Sequence, residues 1–192
     1  MNVQAILVRG GAGITGTALL ATAMWLYTLR PDVRAKELEP IRTGGEIGAV
    51  VTTPDFRLRV ERVDAARSLS STLGNPERTE GIFLIVRFRA SSQKEPIKLQ
   101  SIVLETPGGY SFRPAPRLGT SSASIPEFQP MIWTKSAHVF ELPQQAAAGA
   151  KLVVGTGGLL PQLSSAVEVD LGLTDAKVEA AAEAYDLRGG RP

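Results

Sequence analysis

A single imidazole and no thiol limit the chemistry open to this 192-residue chain, because His138 is its one histidine and cysteine is absent. Zinc sites of the usual kind need three or four His, Cys or carboxylate ligands, and no carboxylates stand at suitable offsets from His138. A Ser-His-Asp hydrolase would need this same histidine beside a serine in a nucleophile elbow, and no G-x-S-x-G occurs. His138 alternates with Phe140 and Leu142, which marks it as a partly buried strand residue. Glu61, Asp64, Glu105, Glu168 and Asp170 are the candidates for glycosidase-like acid/base work. Each falls on a strand face or strand end that ordinarily meets water, and nothing marks two of them as a pair. We therefore expect no catalytic residue, no metal site, no cofactor and no enzymatic activity.

Arginines form the more distinctive pattern. Arg57 and Arg59 lie in one strand-like run and Arg87 and Arg89 in another, each out of phase with apolar neighbours. If the two strands are adjacent, four guanidinium groups share a face suited to phosphate or carboxylate, by the planar fork that grips such anions bidentately. An anionic envelope polymer, a lipid headgroup or an acidic envelope protein would dock there. The alternative is a solvated face neutralised by Glu61, Glu168 and Asp170.

The elements that position these residues follow from patterning. From residue 45 to 173 apolar residues alternate with polar ones, broken by Gly, Pro and Ser clusters, as in short strands of an all-β domain. Phe56, Leu58 and Val60 alternate with Arg57, Arg59 and Glu61, while Ile82, Leu84, Val86 and Phe88 alternate around Arg87 and Arg89. Val167, Val169, Leu171 and Leu173 repeat the pattern. Segments 97–104, 131–142 and 151–154 complete seven or eight strands, with 67–80 and 113–127 as long polar surface loops. A two-sheet sandwich is the expected architecture, with a barrel as the alternative. Residues 174–192 break the pattern, and Asp175 is expected to cap a short Ala- and Glu-rich helix whose thin stripe is Val178, Ala181, Ala182 and Tyr185.

Residues 10–29 (GGAGITGTALLATAMWLYTL) carry no charge and are bracketed by Arg9 and Arg30, which is long enough for one transmembrane helix. Residues 1–9 form its N-terminal flank and residues 30–44 a linker or stalk. A cleaved signal peptide ending near Ala21-Thr22-Ala23 is the neighbouring alternative. Gly13, Thr17 and Ala21, spaced by four, offer a close-packing face between membrane helices. Gly11, Gly13 and Gly16 also fit the G-x-G-x-x-G of a dinucleotide fold, but the polar stretch after the segment lacks the second strand and its acidic end. Residues 1–43 hold five basic and three acidic side chains, and the body holds sixteen of each. A neutral body lacks the electrostatic footprint of a nucleic-acid binder. Counting flank charges puts the C-terminal side in the cytoplasm, although a long domain can cross regardless.

Five stretches, 81–90 (GIFLIVRFRA), 107–112 (PGGYSF), 139–143 (VFELP), 150–155 (AKLVVG) and 167–173 (VEVDLGL), resemble in order and spacing an exported bacterial family. That family comprises uncharacterised immunoglobulin-like domain proteins related to the secreted mycobacterial immunogenic antigen. The resemblance covers about residues 45 to 173 and is made of strands and turns; Ser91-Ser92-Gln93 stands where the family has a short Asn-containing motif. It implies an immunoglobulin-like sandwich outside the cytoplasm, without a defined reaction. The expectation is therefore a single-pass protein of the cell membrane, its partners the bilayer through residues 10–29 and an envelope protein or anionic polymer, acting as a non-catalytic binding or assembly module. An enzyme, nucleotide-dependent through residues 11–16 or a carboxylate hydrolase, is the alternative.

Overall fold

Alternation along the body resolves into two β-sheets that share one apolar core. The computed structural model describes residues 20–22, 24–25, 40–70, 76–115, 126–157 and 164–187. The chain divides into two units, Met1–Leu38 and Glu39–Pro192. In the first unit, residues 20–22 and 24–25 are helical, and Leu20, Met24 and Trp25 are exposed. Ala21 belongs to this helical stretch, whereas Gly13, Thr17, the glycine motif at 11–16 and most of the expected span at 10–29 lie outside the described residues. Among the described residues no helix is long and apolar enough to cross a membrane.

In the second unit, one sheet is built from β1 (Ile41–Glu46), β9 (Ser165–Asp170), β8 (Lys151–Gly155), β5 (Ser101–Glu105) and β6 (Ser111–Phe112), in that spatial order. The other orders β10 (Tyr185–Asp186), β3 (Phe56–Ser70), β4 (Glu77–Ser92) and β7 (Thr134–Leu142), with β2 (Val51–Thr52) also pairing β3. The pairs β1–β9 and β10–β3 are parallel. The remaining pairs are antiparallel, and the connection between β3 and β4 is short enough to make them a hairpin. Phe56, Leu58, Val60, Leu84, Val86, Phe88 and Phe140 of one sheet meet Leu104, Leu152, Val154, Val167 and Val169 of the other in a single buried cluster, which defines a β-sandwich.

Three boundaries differ from expectation. β1 begins at Ile41, inside the segment read as a stalk, because its backbone completes the edge of β9. Residues 67–70 and 77–80, read as loop, continue β3 and β4 as a long hairpin. Serines and arginines are polar enough to look like loop, yet a strand with one wet face accepts them. The segment 113–127 is described only at 113–115 and 126–127, where Ala115 N–H bonds the Val139 carbonyl (2.8 Å).

The C-terminal region departs furthest from the sequence reading. Its helix, α1 (Asp175–Glu179), has five residues, and its cap is Thr174, whose hydroxyl accepts from the Lys177 N–H, not Asp175. Helix propensity is a weak prior over so short a stretch. After Ala180 the chain becomes a strap alongside β3: Ala182 N–H bonds the Ala65 carbonyl and Arg67 N–H the Ala182 carbonyl, each at 2.9 Å. The expected stripe serves two cores, since Val178 enters the inter-sheet cluster while Tyr185 joins Ala66, Leu69, Phe83, Ile85 and Val139 on the outer face of the other sheet.

The run from Ile82 to Val86 explains this strap. Ile82, Leu84 and Val86 point inward, so Phe83 and Ile85 must point out, and leaving both side chains wet would forfeit roughly 1.5–3 kcal/mol each. Tyr185 covers them and is itself fully buried. Its hydroxyl accepts from Arg87 Nη2 and donates to Asp64 Oδ2, both at 3.0 Å. Tyr185→Ala is expected to lower unfolding free energy by about 3–5 kcal/mol, and Tyr185→Phe by about 1 kcal/mol. Urea unfolding midpoints of the full chain check both, and equal effects would refute the division between ring packing and hydroxyl bonding.

Candidate functional site

Register places the four predicted arginines on one face. β3 and β4 are adjacent, and Arg59 stands directly opposite Arg89, which in turn stands opposite Lys135 on β7. Three cations thus form a row across three strands. Arg57 lies opposite Ser91. A bulge at Glu61 shifts the register so that Arg62, not Glu61, opposes Arg87. Like charges directly opposite destabilise a sheet, by up to about 1 kcal/mol per pair.

Partial compensation is visible. Trp133 is within cation–π reach of two guanidinium groups, with Arg57 Cζ 5.5 Å and Arg89 Cζ 5.2 Å from its ring centroid. Glu61 approaches Arg89 Nε at 3.2 Å. Arg87 serves the strap instead: it bonds Tyr185, whose phenol is pushed above its usual range by burial first and then by the Asp64 hydrogen bond. Asp64 in turn accepts from Arg62 Nε at 2.6 Å. Arg59 and Lys135 have neither an ion pair nor an aromatic neighbour among the described residues. The expected neutralisation by Glu168 and Asp170 does not occur, because both belong to β9 in the opposite sheet.

Those carboxylates have other tasks. Arg42 on β1 donates to both oxygens of Glu105 (2.6 and 3.1 Å) and to Glu168 (3.3 Å), while Lys151 donates to Glu168 (2.7 Å). The Lys151 hydrogen bond, aided by Arg42, holds the Glu168 carboxyl below its ordinary range, and Lys151 is raised reciprocally. Asp170 accepts from the Gly172 N–H at 2.8 Å. These are clamps across strands β1, β9, β8 and β5, and they engage Glu105 and Glu168 in ion pairs.

His138 is more buried than its spacing suggested, with 5% of its surface exposed. Its ring stacks on Phe88 (centroids 5.5 Å apart), Nε2 is 3.0 Å from Ser136 Oγ, and Nδ1 has no hydrogen-bond partner among the described residues. Burial lowers its pKa to about 4, so the ring is neutral at physiological pH. It borders a cavity of about 390 Å³ that Gln100, Ile102, Arg113 and Pro114 also line. Among the described residues no three His, Asp or Glu side chains gather as a metal site would require.

Beside the cationic row the chain presents a bare apolar tip. Met131 is 85% exposed and Ile132 60%. Met131 also has a φ of 62°, the left-handed region, where a residue with a side chain carries strain of about 1–2 kcal/mol. Sequence reading missed Trp133 and Lys135, although their shared phase, opposite to His138, Phe140 and Leu142, was a usable signal.

No family model matches the chain, and no curated protein matches it. Among solved structures it is similar to a conserved hypothetical protein from Bacillus anthracis, at 19% identity over 57% of this chain and 87% of that one, with a TM-score of 0.46. It is likewise similar to an uncharacterised β-sandwich protein from Clostridium difficile, at 10% identity over 68% and 95% of the two chains (TM-score 0.42). A secreted protein from Mycobacterium tuberculosis matches at 11% identity over 68% and 97% (TM-score 0.46). The sandwich described above rests on its own strand pairing.

The lowered His138 pKa lies below the unfolded value of 6.5, so the unfolded chain takes up the proton first. Its contribution to stability is whole above pH 6.5 and declines as pH falls toward 4. Replacing His138 with Leu should make the loss of unfolding free energy between pH 7 and 4.5 smaller by about 2–3 kcal/mol. Urea titrations at the two pH values measure it, and parallel behaviour of variant and parent would refute the assignment.

Proposed function

We propose that the protein is a membrane-anchored, non-catalytic binding or assembly module of the bacterial cell envelope. Its immunoglobulin-like sandwich works outside the cytoplasmic membrane, and residues 10–29 hold it there as a single-pass anchor. Gly13, Thr17 and Ala21 supply a packing face for another membrane helix. The sandwich docks an anionic partner on the face of β3, β4 and β7.

One observation carries this reading: Arg59, Arg89 and Lys135 stand in direct cross-strand register, and the first and last lack any compensating carboxylate among the described residues. A sheet selected for stability alone would alternate signs along that row. An anion spanning Arg57, Arg59 and Lys135 would relieve the repulsion and use the guanidinium forks. The length and neutrality of residues 10–29 support the anchor, and the strand-and-turn resemblance supports the extracytoplasmic side.

Two measurements test the proposal. A C-terminal tag should sediment with membranes and be removed when protease is added to wall-stripped intact cells; a protected tag would put the sandwich in the cytoplasm. The detergent-solubilised full chain should be retained by immobilised polyphosphate, and Arg59→Glu combined with Lys135→Glu should abolish retention while leaving the unfolding midpoint unchanged or raised. Equal retention of the double variant would refute the docking face.

A further inference from the structure

The apolar tip and the cationic row lie side by side, and neither accounts for the other. Met131, Ile132 and Trp133 are consecutive, the first two project into solvent, and the third is in cation–π contact with Arg57 and Arg89. Immediately along the chain, Lys135 continues the row to Arg89 and Arg59. A binder of a soluble polyanion gains from the cations but has no use for two bare aliphatic side chains. A protein that sits on a lipid surface uses both, because the aliphatic groups leave water for the acyl boundary while the guanidinium and ammonium groups meet headgroup phosphates. Trp133 between them matches the preference of the indole ring for the headgroup level.

We propose that the Met131–Ile132–Trp133 tip, with Arg57, Arg59, Arg89 and Lys135, docks the sandwich onto an anionic phospholipid surface. The inference rests on the anionic docking face argued above and names its partner. Charge complementarity commits it to anionic lipid: a tip of two aliphatic residues is too small to hold a bilayer by apolar contact alone, and each cation near such a surface adds about a fivefold preference. The left-handed backbone at Met131 keeps the tip turned outward, so the docking element is preformed and does not await the membrane.

The test uses the full chain in a Trp25→Phe background, which leaves Trp133 as the one tryptophan reporter. Reconstituted into vesicles of phosphatidylcholine with phosphatidylglycerol, Trp133 emission should shift to the blue and be quenched by bromine-labelled acyl chains, and salt should reverse both. In phosphatidylcholine alone neither should occur. Lys135→Gln should lower the docked-to-free ratio about fivefold in anionic vesicles. Ile132→Ser should lower it as well, without altering retention on polyphosphate. Met131→Gly, which relieves the backbone strain, should raise the unfolding midpoint while weakening docking.

Quenching that is equal in neutral and anionic vesicles would overturn the proposal. So would an Ile132→Ser variant that docks like its parent. If Trp133 responds to soluble polyphosphate but not to anionic vesicles, the docking face stands and its assignment to lipid is refuted. A Trp133 that responds to neither probe refutes both.

Discussion

A strand apolar on both faces must be covered on both, and that requirement at Phe83 and Ile85 governs the rest of the sandwich. The opposite sheet covers only the inner face of β4. The outer face is completed by a strap that runs parallel to β3 and delivers Tyr185 onto Phe83 and Ile85. Among the described residues no second strap covers the other half, from Arg57 to Arg89. The division is enforced by polar bonding at the boundary, where Arg87, Tyr185 and Asp64 form a chain of hydrogen bonds. Arg87 thus marks the edge of the apolar half, and its partner arginines belong to the wet half.

Two sheets meet solvent by opposite electrostatic solutions. On the sheet containing β1, acidic and basic side chains interleave, with Arg42 between Glu105 and Glu168 and Lys151 on the far side of Glu168. Arg42, Glu105, Glu168 and Lys151 there each have an opposite neighbour, although such exposed pairs add little stability. The sheet containing β3 instead concentrates one sign, and a tryptophan does part of the task that carboxylates perform on its counterpart. An indole lowers the cost of gathering guanidinium groups without neutralising them, so the face keeps its charge.

Much of this was readable in residue order, and the misses share a cause. The alternation at 56–60 and 82–88 correctly placed the core strands and put the arginines on one face. The bond from Arg87 to Tyr185 was not foreseen because the tail's route is set by tertiary burial, and an Ala- and Glu-rich stretch looks helical whatever it later covers. The unbroken run Ile82–Val86 was the available clue, since a strand with one wet face alternates and this one does not. Opposition of Arg59, Arg89 and Lys135 depends on a bulge and on strand order, which patterning does not encode. His138 was correctly placed in a strand, but the depth of its burial comes from the Phe88 ring stacked on it.

The strap also has a bearing on how the chain is made. Tyr185 follows Arg87 by 98 residues, so β4 leaves the ribosome long before its outer cover exists. At a synthesis rate of roughly 5–20 residues per second, Phe83 and Ile85 wait on the order of 5–20 s for that partner. The neighbouring pair of β1 with β9 imposes a similar delay on the other sheet, since Ile41 bonds a strand made much later. Nascent chains of this protein therefore carry a two-faced strand without its outer cover until Tyr185 is made, 98 residues after Arg87. That wait of seconds is a kinetic window created by strand order.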